Sequence, residues 1–139
     1  GHRHNSEIEE QLSAIAGKTV LAGFTPHLAP FKRGMSATIY TKAKKALSSG
    51  ELADIYNMYY KNEYFIRIKE EGNIPSVKAV AGTNFADIMP IYDKRLNRII
   101  IVSAIDNLGK GAASQAIQNL NIICGLCETD GLTGAGLYI

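Results

Sequence analysis

What the chain lacks narrows its function before any motif is read. Its 139 residues contain only two cysteines, Cys124 and Cys127, in a single Cys-Gly-Leu-Cys. No second pair exists to complete a four-ligand structural zinc site. A redox Cys-x-x-Cys belongs at a helix start, and this one follows the helical stretch 115–123. Two small apolar residues buried at a helix end are the expected arrangement. Charge of one sign is also scarce. Fifteen basic side chains face thirteen acidic ones, a net +2, which is too even for a nucleic-acid surface or an acidic membrane partner. Lys42, Lys44 and Lys45 cluster, as expected of a solvated loop or strand end. No apolar run reaches the roughly 18 residues of a membrane span, and no secretory signal is visible, so a cytoplasmic location is expected. Repeats, linkers and low-complexity segments are missing too. Residues 1–139 therefore read as a single domain, long enough for a hydrophobic core.

Two nucleotide-loop patterns are absent as well. Gly109-Lys-Gly111 lacks the Gly-x4-Gly-Lys-Ser/Thr spacing, and Gly109-Lys-Gly-Ala-Ala-Ser114 ends in serine where Gly-x-Gly-x-x-Gly requires glycine. The chain holds no self-contained nucleotide fold.

What is present is concentrated in Ser103-Ala-Ile-Asp-Asn-Leu-Gly-Lys-Gly-Ala-Ala-Ser-Gln-Ala-Ile-Gln-Asn119. The apolar run Ile99–Val102 before it predicts a buried strand, and a polar turn then leads into a helix opening on Gly109, Gly111, Ala112 and Ala113. Such small residues leave the backbone bare where free N–H groups and the positive dipole end emerge. Tight packing on the sheet and a ligand-binding edge both fit that composition.

The N-terminal cluster His2-Arg-His-Asn-Ser-Glu7 is the second concentration of chemistry. Asn5 or Ser6 is expected to cap a helix continuing through Ile8, Leu12 and Ile15. The two imidazoles then precede a helix N-terminus, which favours the neutral base form suited to proton transfer. A frayed end or tag remnant also fits, whereas a metal site from His2, His4 and Glu7 lacks a defined geometry, so no metal is expected.

Between these ends, Thr19–Phe24 predicts a short strand running into the proline-bounded 25–30. Arg33–Lys42 alternates Met35, Ala37 and Ile39 with Ser36, Thr38 and Tyr40, a half-buried strand. Gly50–Tyr60 reads as a helix with Leu52, Ile55, Tyr56 and Tyr59 on one side, and Tyr64–Ile68 as a brief strand. A turn at Gly72–Pro75 leads to Val77–Ala81, and Phe85–Tyr92 and Arg98–Ile105 flank a hairpin connection. Strands outnumber crossover units, so the expected class is α+β: a mixed, largely antiparallel sheet with helices packed on one face.

Four motifs occur in a fixed order: His2-Arg-His-x-x-Glu-Ile8, Phe24-Thr-Pro-His-Leu-x-Pro-x-x-Arg-Gly34, Gly82-Thr-Asn-Phe-x-Asp87, and the stretch 103–119. Together they resemble the C-terminal half of the N-acetyl-gamma-glutamyl-phosphate reductases, within the wider group similar to glyceraldehyde-3-phosphate and aspartate-semialdehyde dehydrogenases. The resemblance implies an NADP-dependent enzyme of arginine biosynthesis that reduces an acyl phosphate to a semialdehyde with release of phosphate. It implies an N-terminal Rossmann domain and a nucleophilic cysteine upstream of His2, both outside this sequence, so residues 1–139 alone are expected to be inactive. Neither Cys124 nor Cys127 matches that nucleophile. By the same resemblance His4, then His2, is the base. Arg3 and Glu7 lie at the substrate, and His27, Lys32 and Arg33 contact substrate or a partner subunit. Asn107 would bond the nicotinamide carboxamide, with Lys110, Gly111 and Ala112 forming the wall beside it. Ser114 departs from the family, which often has glycine there. A homo-oligomer, dimer or tetramer, is expected. Cut from the rest, His2 and His4 are expected to be mobile or displaced; rings held by internal hydrogen bonds would count against this.

Overall fold

The 93–97 turn sets the register of the sheet. Asp93 Oδ1 accepts the Leu96 N–H at 3.2 Å, and Asp93 Oδ2 pairs with Arg98 Nε at 3.2 Å. Asn97 takes a left-handed φ of 46°, which asparagine tolerates better than most residues, and its Oδ1 accepts the Tyr92 hydroxyl at 2.7 Å. In the computed structural model, which describes residues 2–137, this turn joins two antiparallel strands in the expected hairpin. The elements in order are α1 (His4–Ala16), β1 (Met35–Lys42), α2 (Ser49–Tyr59), β2 (Ile66–Ile68), α3 (Val77–Val80), β3 (Ala86–Asp93), β4 (Arg98–Ile105), a π-helical turn (Gly109–Ala113) and α4 (Ser114–Ile123). The sheet order is β1-β4-β3-β2. β4 pairs antiparallel with both β1 and β3, while β2 runs parallel to β3. The expected α+β class with a mixed, largely antiparallel sheet is what the chain adopts.

Contacts divide the chain into two units, residues 1–31 and 32–139. The first holds α1 and the segment after it. Helix α1 begins at His4, earlier than the predicted Asn5 or Ser6 cap, and Arg3 precedes it without a side-chain cap. Ser6 Oγ is instead satisfied by the Arg3 carbonyl at 3.1 Å. The predicted strand Thr19–Phe24 does not form. Its backbone donors go to α1 side chains: Val20 N–H to Ser13 Oγ at 2.9 Å and Ala22 N–H to Glu9 Oε1 at 3.0 Å. With those N–H groups taken, no ladder partner is required.

In the second unit, Ser48 and Glu51 form a reciprocal capping box that starts α2. That helix buries Leu52 against a core of Phe65, Val80, Ala81, Met89 and Ala104. Ion pairing knits the parallel edge: Arg67 and Asp87 are register partners on β2 and β3, bonded Nε to Oδ1, with the guanidinium 4.4 Å from the Phe85 ring centre. Strand β1 is exposed along all eight residues rather than half-buried, because it is an edge strand paired only by β4. The Ile99–Val102 run is half-buried for a related reason: β4 is covered on its sides by β1 and β3, but its faces stay partly open. Cys124 and Cys127 are free and exposed, contrary to the expected burial. The chain leaves α4 there through a left-handed Gly125 (φ 69°), so both thiols lie on a surface turn.

Candidate active-site surfaces

Each unit carries its own part of the candidate set. In the first, the His2 and His4 rings meet edge to face at 4.7 Å, and the His2 ring meets Phe24 edge to face at 5.4 Å. His2 Nδ1 also accepts the His4 N–H at 3.3 Å. An internal hydrogen bond thus holds the His2 ring but not the His4 ring. The bond leaves the His4 ring nitrogens without a partner in the described residues, while His2 commits one of its own. Glu7, a negative charge in the first turn of α1, makes no hydrogen bond to either imidazole. Arg3 and His27 are exposed, and His27 Nδ1 lies 3.1 Å from the Thr25 carbonyl. No group of three or more His, Cys, Asp or Glu side chains among the described residues is placed to hold a metal ion.

The second unit carries the glycine-rich ledge, organised by a residue the motif reading passed over. Asp106, at the end of β4, is fully buried and surrounded by donors. Its Oδ1 accepts Leu108 N–H at 2.8 Å and Gly109 N–H at 2.9 Å. Its Oδ2 accepts Gly82 N–H and lies 2.7 Å from Arg33 Nε as an ion pair. Burial pushes this carboxyl upward, but Arg33 and the Gly82, Gly109 and Leu108 N–H groups outweigh it and hold the pKa at about 2. An aspartate directly before Asn-x-Gly at a strand end was the available sequence signal, since such residues turn back on neighbouring N–H groups.

The glycines separate into two kinds. A Cβ at Gly109 would lie 2.9 Å from the Thr83 carbonyl oxygen, so this position serves tight packing. At Gly111 the nearest atoms would be 3.4 Å away, an ordinary contact, and Gly111, Ala112 and Ala113 are exposed. Only the latter three form an open wall. Asn107 stands beside it: its Oδ1 accepts the Gly34 N–H at 2.7 Å, and its Nδ2 has no hydrogen-bond partner among the described residues. Lys110 turns away from the wall. Its Nζ donates to Gln118 Oε1 at 2.7 Å and sits 5.5 Å from the Phe65 ring centre. Burial lowers the pKa of this ammonium, against the opposing pull of Glu128 and Glu63. Gln118 also receives Asn84 Nδ2 at 2.8 Å and donates to Glu128, so Lys110 belongs to an internal polar chain. Arg33 is likewise engaged with Asp106, whereas Lys32 is exposed. The structure thus brings Arg33, Asn107, Gly111 and Ala112 to one ledge and draws Lys110 behind it. A shallow groove of about 300 Å3, lined by Lys69, Gly72, Asn73, Ile74, Ser76, Ala79 and Asp87, shares no residue with this set.

No described helix is long and apolar enough to cross a membrane. Residues 1–107 match the family described as semialdehyde dehydrogenase, dimerisation domain. The chain is 58% identical over 138 residues to an N-acetyl-gamma-glutamyl-phosphate reductase of Acetivibrio thermocellus, covering 99% of this chain and 40% of that protein. Proteins of the same name from Pelobacter propionicus and Desulforudis audaxviator are 50% and 52% identical over 137 residues, with 99% of this chain and 40% of each relative covered. The chain therefore spans about 40% of the length of the curated relatives it matches. Among solved structures, aspartate semialdehyde dehydrogenase II from Vibrio cholerae superposes with a TM-score of 0.72 at 15% identity, over 88% of this chain and 37% of that one. The match extends over well more than half of the sequence, and the chain belongs to the semialdehyde dehydrogenase dimerisation-domain family.

Proposed function

We propose that residues 1–139 serve as the catalytic and dimerisation domain of a cytoplasmic NADPH-dependent reductase. Its reaction converts N-acetyl-glutamyl 5-phosphate to N-acetyl-glutamate 5-semialdehyde and phosphate, a step of arginine biosynthesis. The observation that carries this reading is 58% identity across nearly the whole chain to a reductase of that name. In the longer protein the partner of this domain is an N-terminal Rossmann domain, which supplies the dinucleotide fold and the cysteine nucleophile. The substrate is a small molecule, and the assembled protein is a homo-oligomer, dimer or tetramer.

The chain's own residues take the following parts. His4, whose ring nitrogens are uncommitted, withdraws the thiol proton, then protonates the oxyanion left when the thioester is reduced and takes that proton back as the hemithioacetal collapses to aldehyde and thiolate. His2 buttresses it through ring contact at 4.7 Å. Arg3 and Glu7 set the charge around that histidine, and His27, Lys32 and Arg33 lie toward substrate or the neighbouring subunit.

The ledge fits a nicotinamide on a structural criterion: Asn107 keeps Oδ1 on Gly34 and offers Nδ2 to an acceptor such as a carboxamide oxygen. Gly111 and Ala112 give that ring a wall without bulky side chains, and Lys110 fixes the wall from behind through Gln118. When bound, NADPH supplies the hydride. The test is turnover by the full-length protein with N-acetyl-glutamyl phosphate, unacetylated glutamyl phosphate and aspartyl phosphate, followed by NADPH absorbance. Selective turnover of the acetylated substrate is expected. Preference for aspartyl phosphate would instead make it a related semialdehyde dehydrogenase, and no turnover of any of them would leave a non-catalytic oligomerisation module.

A further inference from the structure

We propose that Asp106 is a positioning residue for Asn107, and that through it the chain controls affinity for the nicotinamide end of the cofactor. The inference rests on the reading of Asn107 given above. Two adjacent dipeptides lock together here. Arg33 pairs with Asp106 at 2.7 Å, and the next residue, Gly34, donates its N–H to Asn107 Oδ1 at 2.7 Å. Gly34 adopts a φ of 114° that only glycine holds readily, and a Cβ there would sit 2.7 Å from Val77 Cβ. The Gly34 N–H is thus held in place on one side by Val77 and on the other by the ion pair of its neighbour. That fixed donor settles the Asn107 amide: the oxygen goes to Gly34, and the nitrogen is left for an outside acceptor.

The chemistry requires a carboxylate at 106. Three N–H donors, from Gly82, Leu108 and Gly109, converge on it, and the Arg33 guanidinium lies 2.7 Å away as an ion pair. Only a charged, acceptor-only side chain satisfies the three donors and the ion pair together. An asparagine would turn an NH2 toward one donor pair or the other. It would confront either Arg33 and Gly82 or Leu108 and Gly109, in a site from which water is excluded. The Asp106 carbonyl also accepts Gly111 N–H at 2.9 Å, so the same residue tethers the wall beside Asn107. Pinned on both sides, Asn107 meets its acceptor without first ordering a free side chain, which is the general source of affinity from preorganisation.

A merely structural carboxylate would affect every ligand alike, and this distinction makes the proposal testable. In the full-length protein, Asp106→Asn is compared with Asp87→Asn, which disrupts an equally buried ion pair with Arg67 and lies outside the site. NADPH binding is followed by its fluorescence, and binding of 2′-phospho-ADP-ribose, which lacks the nicotinamide, by calorimetry. Asp106→Asn is expected to weaken NADPH by about tenfold, the worth of roughly one hydrogen bond, and leave 2′-phospho-ADP-ribose within about twofold. Asp87→Asn is expected to change neither. Should Asp106→Asn fail to fold, Arg33→Gln, which keeps a donor but not the charge, should lower NADPH affinity in the same direction by about threefold. Equal losses for both ligands, an equal loss in Asp87→Asn, or unchanged NADPH affinity in the Arg33 and Asp106 variants would overturn the proposal. A wild-type protein that binds no NADPH would overturn the underlying reading of Asn107 instead.

Discussion

Alanine at Gly109 and at Gly111 should move the protein in opposite directions. At Gly109 the new methyl would stand 2.9 Å from the Thr83 carbonyl oxygen and 3.3 Å from Asp106 Cγ. Backbone cannot yield as a flexible side chain does, and overpacking of this kind costs about 1–3 kcal/mol. Replacing glycine within a helical segment returns roughly 0.5–1 kcal/mol of chain entropy. Gly109→Ala should therefore be destabilised by about 1–2 kcal/mol, a Tm fall of roughly 5 °C for a domain of this size. At Gly111 the nearest contacts, Asp106 O and Ile105 Cδ1, would be at 3.4 Å, so the entropic gain prevails. Gly111→Ala should be stabilised by about 0.5 kcal/mol and melt roughly 2 °C higher. Circular dichroism melts of both variants give the sign directly, and NADPH titration of the full-length protein gives the second half. Gly111→Ala should bind NADPH about as tightly as wild type, because its methyl lies against Asp106 O, Ile105 Cδ1 and Met35 Cε rather than on the open side of the wall. A Gly111→Ala melt as low as that of Gly109→Ala would make both glycines packing residues and remove the wall from the site.

The remaining predictions concern charge, core and assembly. Asp106 has its pKa depressed from 3.8 to about 2, so its contribution is present above pH 4 and is lost as pH falls through the folded value. The shift is worth about 2 kcal/mol, and Asp106→Asn should lower stability at pH 7 by at least that and flatten the acid limb between about pH 4 and 2 in urea titrations. Phe65, 1% exposed, packs on Tyr64 and Phe85 and under the Lys110 ammonium. Phe65→Ala should cost about 3–4 kcal/mol of unfolding free energy in urea titrations. Ile39 on the bare strand β1 is 47% exposed, with Met35 and Tyr40 also open to solvent. Ile39→Glu should shift the assembled protein to smaller species in light scattering while leaving its melt within about 1 kcal/mol, as expected of a surface change.

Sequence pattern carried the parts of this fold whose causes are local. The hairpin of β3 and β4 was legible because two apolar stretches flank a short polar turn whose residues, Asp93 and Asn97, act within five positions of each other. Helix α2 was legible from its apolar spacing and carries its own capping box. Segment 19–24 was misread because an apolar run looks like a strand, whereas its fate is decided by Glu9 and Ser13 thirteen and seven residues upstream. Alternation in β1 implied one buried face, but burial depends on what covers an edge strand, and period-two spacing carries no such information. The cysteines were misjudged on the same ground: small apolar residues are buried only where something packs over them. At the site, the glycines stood out by composition and Asn107 through the family resemblance. Asp106 did not, because its partners at 33 and 82 lie 73 and 24 residues away and only the folded chain brings them together.

Proton transfer by His4 is the central chemical step, and substitution there tests it most directly. His4→Asn in the full-length protein should lower kcat for N-acetyl-glutamyl phosphate reduction by about 100-fold or more, the usual yield of general acid–base catalysis, with NADPH affinity unchanged. A variant that turns over at the wild-type rate would contradict the assignment.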